Sequence, residues 1–278
     1  MPAVYEEIDG FRCYAPKVAL DYADYPSDGF DVTAEVEARS FWCRARNRVL
    51  RYVLERFTDR TRPLDVLEIG CGIGGVIQEL QHIQNFRLTG SEIYLQGLRF
   101  ARTRLPLVDF IQLDATDSPF KGQFDVVGAF DVLEHIDDDE LVMRQVASAL
   151  KSNGLFVVTV PQYTWMWSRL DEVVLHKRRY RRRELLSKLR AAGFDIVYTT
   201  SFVTTLFPFL AAVRLRDRPQ PSVEGCRADF ESRVTLPAVV NVVFDWVSRF
   251  DELLLKLGLT LPFGGSLLTV ARRSQPPS

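Results

Sequence analysis

The chain has 278 residues, 47% apolar and 26% charged, with 35 Lys and Arg against 36 Asp and Glu and a formal net charge of -1. That balance excludes a disordered or nucleic-acid-coating chain and leaves a globular protein, either one large domain with additions or two small ones. The cysteines Cys13, Cys43, Cys71 and Cys226 form no C-x-x-C pair, the N-terminus lacks a signal-peptide pattern, and the longest apolar run, 202–213, is too short to cross a bilayer, so a cytoplasmic protein with reduced thiols is expected.

Residues 1–30, rich in Tyr, Asp, Pro and Gly and without a period, predict an irregular arm. From Thr33, a candidate N-cap, the apolar positions Val36, Phe41, Val49, Tyr52, Val53 and Phe57 predict a helix that packs on the sheet or covers a site. A strict alternation follows: strand 65–70, a helix to about Gln84, strand 87–93, a helix through Leu105, strand 108–114, a turn at Ser118-Pro119, strand 124–132, a helix over 138–150 and strand 154–161. Near-continuous apolar strands separated by helices predict a parallel sheet buried on both faces, and so the α/β class. Beyond Pro161 come a long loop, a basic helix near 181–192, strand 195–203, an apolar insertion and a last strand at 266–273.

The turn Glu68-Ile-Gly-Cys-Gly-Ile-Gly-Gly75 lies where a strand becomes a helix, and its glycines allow positive φ and close approach of a ligand. Gly70, Gly72 and Gly75 satisfy G-x-G-x-x-G, and Glu92 stands twenty residues beyond Gly72, so a nicotinamide dinucleotide also fits this spacing. The acids argue for a different ligand. Glu68 inside the strand would repel a pyrophosphate, Asp114 closes the third strand where it can accept from an adenine amino group, and Asp131 ends the fourth strand beside Glu134 and His135. An edge so lined suits a cation.

The segments D-V-L-E-I-G-C-G, S-E-I, L-D-A, F-D-V-V-G-A-F-D-V-L-E-H-I and L-K-S-N-G-L-F-V-V-T-V-P, in this order over residues 64–161, resemble the successive motifs of class I S-adenosylmethionine-dependent methyltransferases. The resemblance implies a Rossmann-like seven-stranded sheet with an antiparallel last strand, to which the chain's own pattern adds an N-terminal helix and, where the common fold has a tight hairpin, a helical insertion before the last strand. It divides the chain into an arm and helix (1–60), a cofactor-binding core (61–203), an apolar insertion (204–265) and a closing strand with tail (266–278). It also implies that S-adenosyl-L-methionine lies against Glu68, Gly70, Cys71 and Gly72, that Glu92 and Ile93 meet its ribose, that Asp114 and Ala115 frame its adenine, and that Phe130, Asp131, Val132 and Leu133 flank it. FWCRARN (41–47) and the stretch 160–185 further resemble a bacterial subgroup, where Trp42 and Arg46 either pack the helix or close over the cofactor.

Methyl transfer is an in-line displacement from a sulfonium, so alignment and exclusion of water supply most of the rate, and a base helps where the acceptor must lose a proton. His82 reads as structural. His135, after the fourth strand, and His176 and Tyr180, in the loop after the fifth, are the candidate catalytic residues. Glu134, His135, Asp137, Asp138, Asp139 and the distant His176 offer ligands for a divalent ion, but Asp138-Asp139-Glu140 at a helix start complements the helix dipole, and no metal is expected. The basic run 177–190 is either a solvated helix face or a grip on an anionic acceptor. The apolar insertion packs over the active site, forms a homodimer surface or touches a membrane peripherally. Methyl transfer to oxygen or nitrogen of a small-molecule or lipid-linked acceptor that carries a negative group is expected, with nucleic acid the weaker partner. The rival functions are a nicotinamide oxidoreductase and a non-catalytic cofactor-binding subunit.

Overall fold

The computed structural model describes residues 4–19, 29–37, 39–217 and 236–274. Five parallel strands carry the core: β3 (Leu64–Ile69), β4 (Phe86–Glu92), β5 (Asp109–Gln112), β6 (Phe124–Phe130) and β7 (Leu150–Pro161). They are joined by helices α3 (Gly75–Leu80), α4 (Leu95–Arg104) and α5 (Asp139–Ala149). Strand side chains alternate between faces, so Leu67 and Ile69 enter one apolar cluster with Val142 and Leu189, while Leu64 and Val66 enter another with Leu50 and Leu54. Two such layers leave no solvated face on the central strands, which accounts for their unbroken apolar composition.

Beyond β7 come α6 (Arg169–Val173), α7 (Arg182–Ala191), β8 (Phe194–Phe202) and β9 (Ser266–Arg273), the last inserted antiparallel between β7 and β8. The sheet has nine strands and not the expected seven, because the arm is not irregular: β1 (Glu6–Ile8) and β2 (Phe11–Cys13) form a hairpin whose second strand pairs parallel with β5. Asp9 and Gly10 at its tip both take positive φ, and Phe11 is buried under the Arg102 guanidinium. A three-residue strand carries too short an alternation to stand out in sequence.

Two helices replace the single one expected over 33–57: α1 (Gly29–Glu37) and α2 (Phe41–Phe57). Ser40 separates them, its hydroxyl accepting from Cys43 N as the N-cap of α2. Helix α3 stops at Leu80, short of Gln84, since turns at Ile83 and Phe86 close the chain there and the Asn85 amide donates to the Asp59 and Arg62 carbonyls.

The described part of the insertion contains α8 (Phe207–Arg216) and α9 (Ala238–Lys256); Cys226 and the rest of 218–235 lie outside the described residues. Helix α9 lies along α2: Asn241 Oδ1 accepts from Phe41 N at 3.0 Å, Arg48 reaches Asp245 and Glu252, and the Tyr52 hydroxyl donates to Leu255 O at 2.8 Å. The insertion therefore thickens one face of the sandwich. Val239 and Trp246 on its outer side are 75% and 70% exposed.

Candidate functional site

The strand order runs β5-β4-β3 one way and β6-β7 the other, so the topology switches between β3 and β6. Ligands of open α/β sheets bind at the carboxyl ends of the strands beside that switch. There Gly70 and Gly72 take φ of +66° and +51°. A Cβ on Gly70 would stand 2.6 Å from Val132 Cγ2, while nothing lies within 4 Å of the Cβ position of Gly72. One glycine is required by packing against the β6 edge; the other leaves an open cradle above the turn.

Four acids, Glu68, Glu92, Asp114 and Asp131, stand at or just beyond the carboxyl ends of β3, β4, β5 and β6. Glu68 is buried with Oε2 unpaired, and burial raises its carboxyl to about 8. Glu92 is also raised by burial, although its oxygens accept from Gly72 N at 3.0 Å, Ile93 N at 2.8 Å and Tyr94 N. It thus fixes the glycine turn as well as facing the edge. Asp114 Oδ1 accepts from the backbone and hydroxyl of Thr116, holding the loop at Ala115. Asp131 takes φ of 59°, a conformation that L residues rarely adopt, and pairs with Arg46 Nη1 at 2.9 Å. Arg46 in turn stacks over Trp42 at 4.9 Å, so α2 delivers an aromatic–guanidinium pair onto the end of β6. Glu37, at the end of α1, also reaches this turn: its carboxylate occupies the room that Gly75 leaves and pairs with Arg104 at 3.4 Å. Sequence reading missed it, since nothing in the α1 pattern marks its last residue.

Past Asp131 the chain turns through Leu133 and Glu134, both wholly buried, to His135. The rings of His135 and His176 meet edge to face with centroids 4.8 Å apart, although 41 positions separate them. Burial, then the neighbouring His176, depress His135 to about 3. His176 Nδ1 lies 2.8 Å from Asp171, a wholly buried acid that also accepts from Arg179 Nε at 2.8 Å, Arg214 Nη1 at 3.1 Å and both the backbone and hydroxyl of Ser168. Burial alone would raise Asp171, but His176 and the two guanidinium groups hold it well below the carboxylate range. Asp171 is a second residue that sequence reading missed; the S-x-x-D spacing from Ser168 was its one signal.

Tyr180 does not reach the edge. It is wholly buried, its hydroxyl donates to Asp139 Oδ2 at 2.7 Å, and burial with that bond pushes the phenol up. Its place is structural support, together with Lys188 on the same acid. Part of the basic run is consumed internally as well: Lys177 pairs with Asp137, Arg178 with Asp139, and Arg179 with Asp171 and the Gln162 carbonyl. A grip on an anionic acceptor loses those members. Tyr163, Trp165, Phe207 and Phe263 instead make an aromatic cluster, with neighbouring centroids 5.5–6.1 Å apart and Trp165 50% exposed.

A family model described as a methyltransferase domain matches residues 38–199. A probable S-adenosylmethionine-dependent methyltransferase of Mycobacterium tuberculosis (strain H37Rv) is 28% identical over 163 residues, 58% of this chain and 58% of that protein. The chain thus matches little more than half the length of that relative. A ubiquinone biosynthesis O-methyltransferase of Bordetella bronchiseptica is 33% identical over 98 residues, 32% of this chain and 39% of its own. Among solved structures, a chain from the complex of the Haloferax volcanii Trm112 methyltransferase activator with a methyltransferase superposes with a TM-score of 0.60 at 20% identity, covering 88% of this chain and 98% of that one. The [4+2]-cyclase SpnF superposes at 0.55 with 22% identity and 84% of each chain covered. A cyclase among the neighbours means that fold alone does not name the chemistry.

Proposed function

The chain belongs to the methyltransferase-domain family, and from that membership we propose that it transfers a methyl group from S-adenosylmethionine to an oxygen or nitrogen of a small or lipid-linked acceptor. The observation that carries the proposal is the acidic strand edge. Glu68, Glu92, Asp114 and Asp131 stand at or just beyond the carboxyl ends of β3, β4, β5 and β6, and the unpaired, buried Oε2 of Glu68 suits a ligand bearing an ammonium and a sulfonium. The same edge would repel a pyrophosphate, and family membership removes the nicotinamide reading.

When bound, the cofactor supplies an electrophilic methyl on sulfur. The chain's own residues then have separable tasks. Gly70 and Gly72 let the backbone approach, Glu68 balances positive charge, and Glu92 offers its remaining lone pairs to ribose hydroxyls while fixing the turn. Asp114 and Ala115 frame the adenine side, and Phe130, Val132 and Leu133 form the apolar wall of the β6 end. Arg46, held between Trp42 and Asp131, closes the edge against water. His135 and His176 face the acceptor side.

The aromatic cluster at Tyr163, Trp165, Phe207 and Phe263 supports an acceptor with an apolar body, and the distant O-methyltransferase relatives support oxygen as the methylated atom. The outer face of α9, with Trp246 exposed beside Arg249, supports the peripheral membrane contact that a lipid-linked acceptor requires. No described helix is long and apolar enough to span a membrane.

Isothermal titration with S-adenosylhomocysteine, NADH alongside, followed by labelled-methyl transfer to a panel of apolar phenols and alcohols, tests the reading. Binding of the nicotinamide alone would refute it. Cofactor binding without transfer to any acceptor would favour a partner subunit.

A further inference from the structure

Glu134, His135 and His176 each offer one ligand atom, and those three atoms all lie within 4.8 Å of one another. Glu134 is wholly buried, and neither of its carboxylate oxygens has a hydrogen-bond partner. The His176 Nε2 atom stands 3.8 Å from Oε1, beyond hydrogen-bond reach. A buried carboxyl without partners is costly whether ionised or neutral, so its place beside two imidazoles needs an occupant that is not a side chain.

The two imidazoles are held in place by their neighbours. His176 Nδ1 is held by Asp171, itself fixed by Arg179, Arg214 and Ser168, and the His135 ring packs edge to face on that of His176. A ring nitrogen engaged in this way leaves the lone pair on the other, which is how a carboxylate or carbonyl fixes a metal-ligating histidine. The position is also next to the reacting edge, three residues beyond Asp131.

We infer that Glu134, His135 and His176 bind a divalent first-row transition ion of the Zn²⁺ type, with Asp171 as the positioning residue. Two nitrogens and one carboxylate suit Zn²⁺ and its neighbours, whereas Mg²⁺ and Ca²⁺ take oxygen sets. Donors at about 2.1 Å from a shared tetrahedral ion stand about 3.4 Å apart, so the farthest pair must close by roughly 1.4 Å, about 0.7 Å per side chain. Three protein ligands leave further coordination positions open. On the methyl-transfer reading, an acceptor hydroxyl would occupy one of them: its O–H bond breaks, the proton passes to solvent water, and the electron pair stays on the metal-bound oxygen, ready to attack the methyl. That role rests on the methyl-transfer reading; the site does not.

The test is a titration of chelator-treated full-length protein with Co²⁺ and then Zn²⁺, followed by visible absorption and calorimetry, with Mg²⁺ in parallel. One Co²⁺ per chain is expected, displaced by Zn²⁺, with nitrogen and oxygen ligand-field bands and no thiolate charge-transfer band. Asp171→Asn should weaken affinity about 10–100-fold, and Glu134→Gln and His176→Gln by more. Cys43→Ser should change nothing. S-adenosylhomocysteine affinity and circular dichroism of each variant separate a lost ligand from a lost fold, and His135→Gln serves where Glu134→Gln does not fold. Absent binding, binding indifferent to these substitutions, or a thiolate band overturns the site; preference for Mg²⁺ overturns the ion class. Cofactor binding without the ion refutes the metal alone, and ion binding without the cofactor refutes the methyl-transfer reading alone.

Discussion

Asp171→Asn keeps the shape of the side chain while removing the charge that Arg179 and Arg214 share and that the His176 ring meets at 2.8 Å. Arg179 is 4% exposed, so it has almost no water to return to, whereas the Arg214 side chain is 23% exposed and can be rehydrated. Removing one member of a buried ion pair costs ~3–5 kcal/mol. The asparagine oxygen still accepts one of the lost N–H bonds, which places the expected loss near the low end, about 3 kcal/mol. At roughly 2–4 °C per kcal/mol for a protein of this size, the melting temperature should fall by ~6–12 °C. Urea denaturation with limited proteolysis of the 162–180 segment is the assay, since Arg179 also ties that segment to the Gln162 carbonyl. A loss below about 1 kcal/mol, with unchanged proteolysis, would refute the view of Asp171 as the electrostatic centre of the loop.

Gly70→Ala should destabilise by about 2–4 kcal/mol, from a left-handed backbone and a clash with Val132; adding Val132→Ala should recover only the steric part in denaturant titrations. Glu68 has a raised carboxyl, so ionising it in the folded protein is unfavourable, and affinity for a cationic cofactor should rise with pH toward about 8 and then level off. Glu68→Gln should abolish that rise in calorimetry from pH 6 to 9, and should stabilise the ligand-free protein by an amount that grows across the same interval up to about 8. Glu92→Ala should lower cofactor affinity by tenfold or more, because about 1.5–3 kcal/mol attends each hydrogen bond to a charged group; unchanged affinity would remove Glu92 from the site. His135→Ala should leave cofactor affinity intact and lower turnover, and full turnover would make it structural.

The parallel core was legible because its strands are continuously apolar and their acids fall at the strand ends. What escaped were features set by tertiary partners. The β1–β2 hairpin is too short to show a period, and its identity comes from docking on β5. The break at Ser40 follows from a cap that the sustained helical pattern across it concealed. The acids at the strand ends were readable by position, whereas the pairing of the 177–190 cations was not: the carboxylate partners Asp137, Asp139 and Asp171 lie up to 49 positions away, so Lys177, Arg178, Arg179 and Lys188, which look free in sequence, are paired in space. Tyr180 shows the same limit, since a tyrosine near a ligand edge in sequence is here turned into the core.

The placement of β9 between β7 and β8 has a consequence for biosynthesis. The nascent chain can assemble the parallel strands once Pro161 has emerged, but β7 then presents an open edge and β8 has no neighbour until residues 266–273 are made. During that interval the apolar α8 and α9 are also being extruded. The half-finished sheet is therefore the state most exposed to strand-to-strand association between chains, and the one a holding chaperone would recognise.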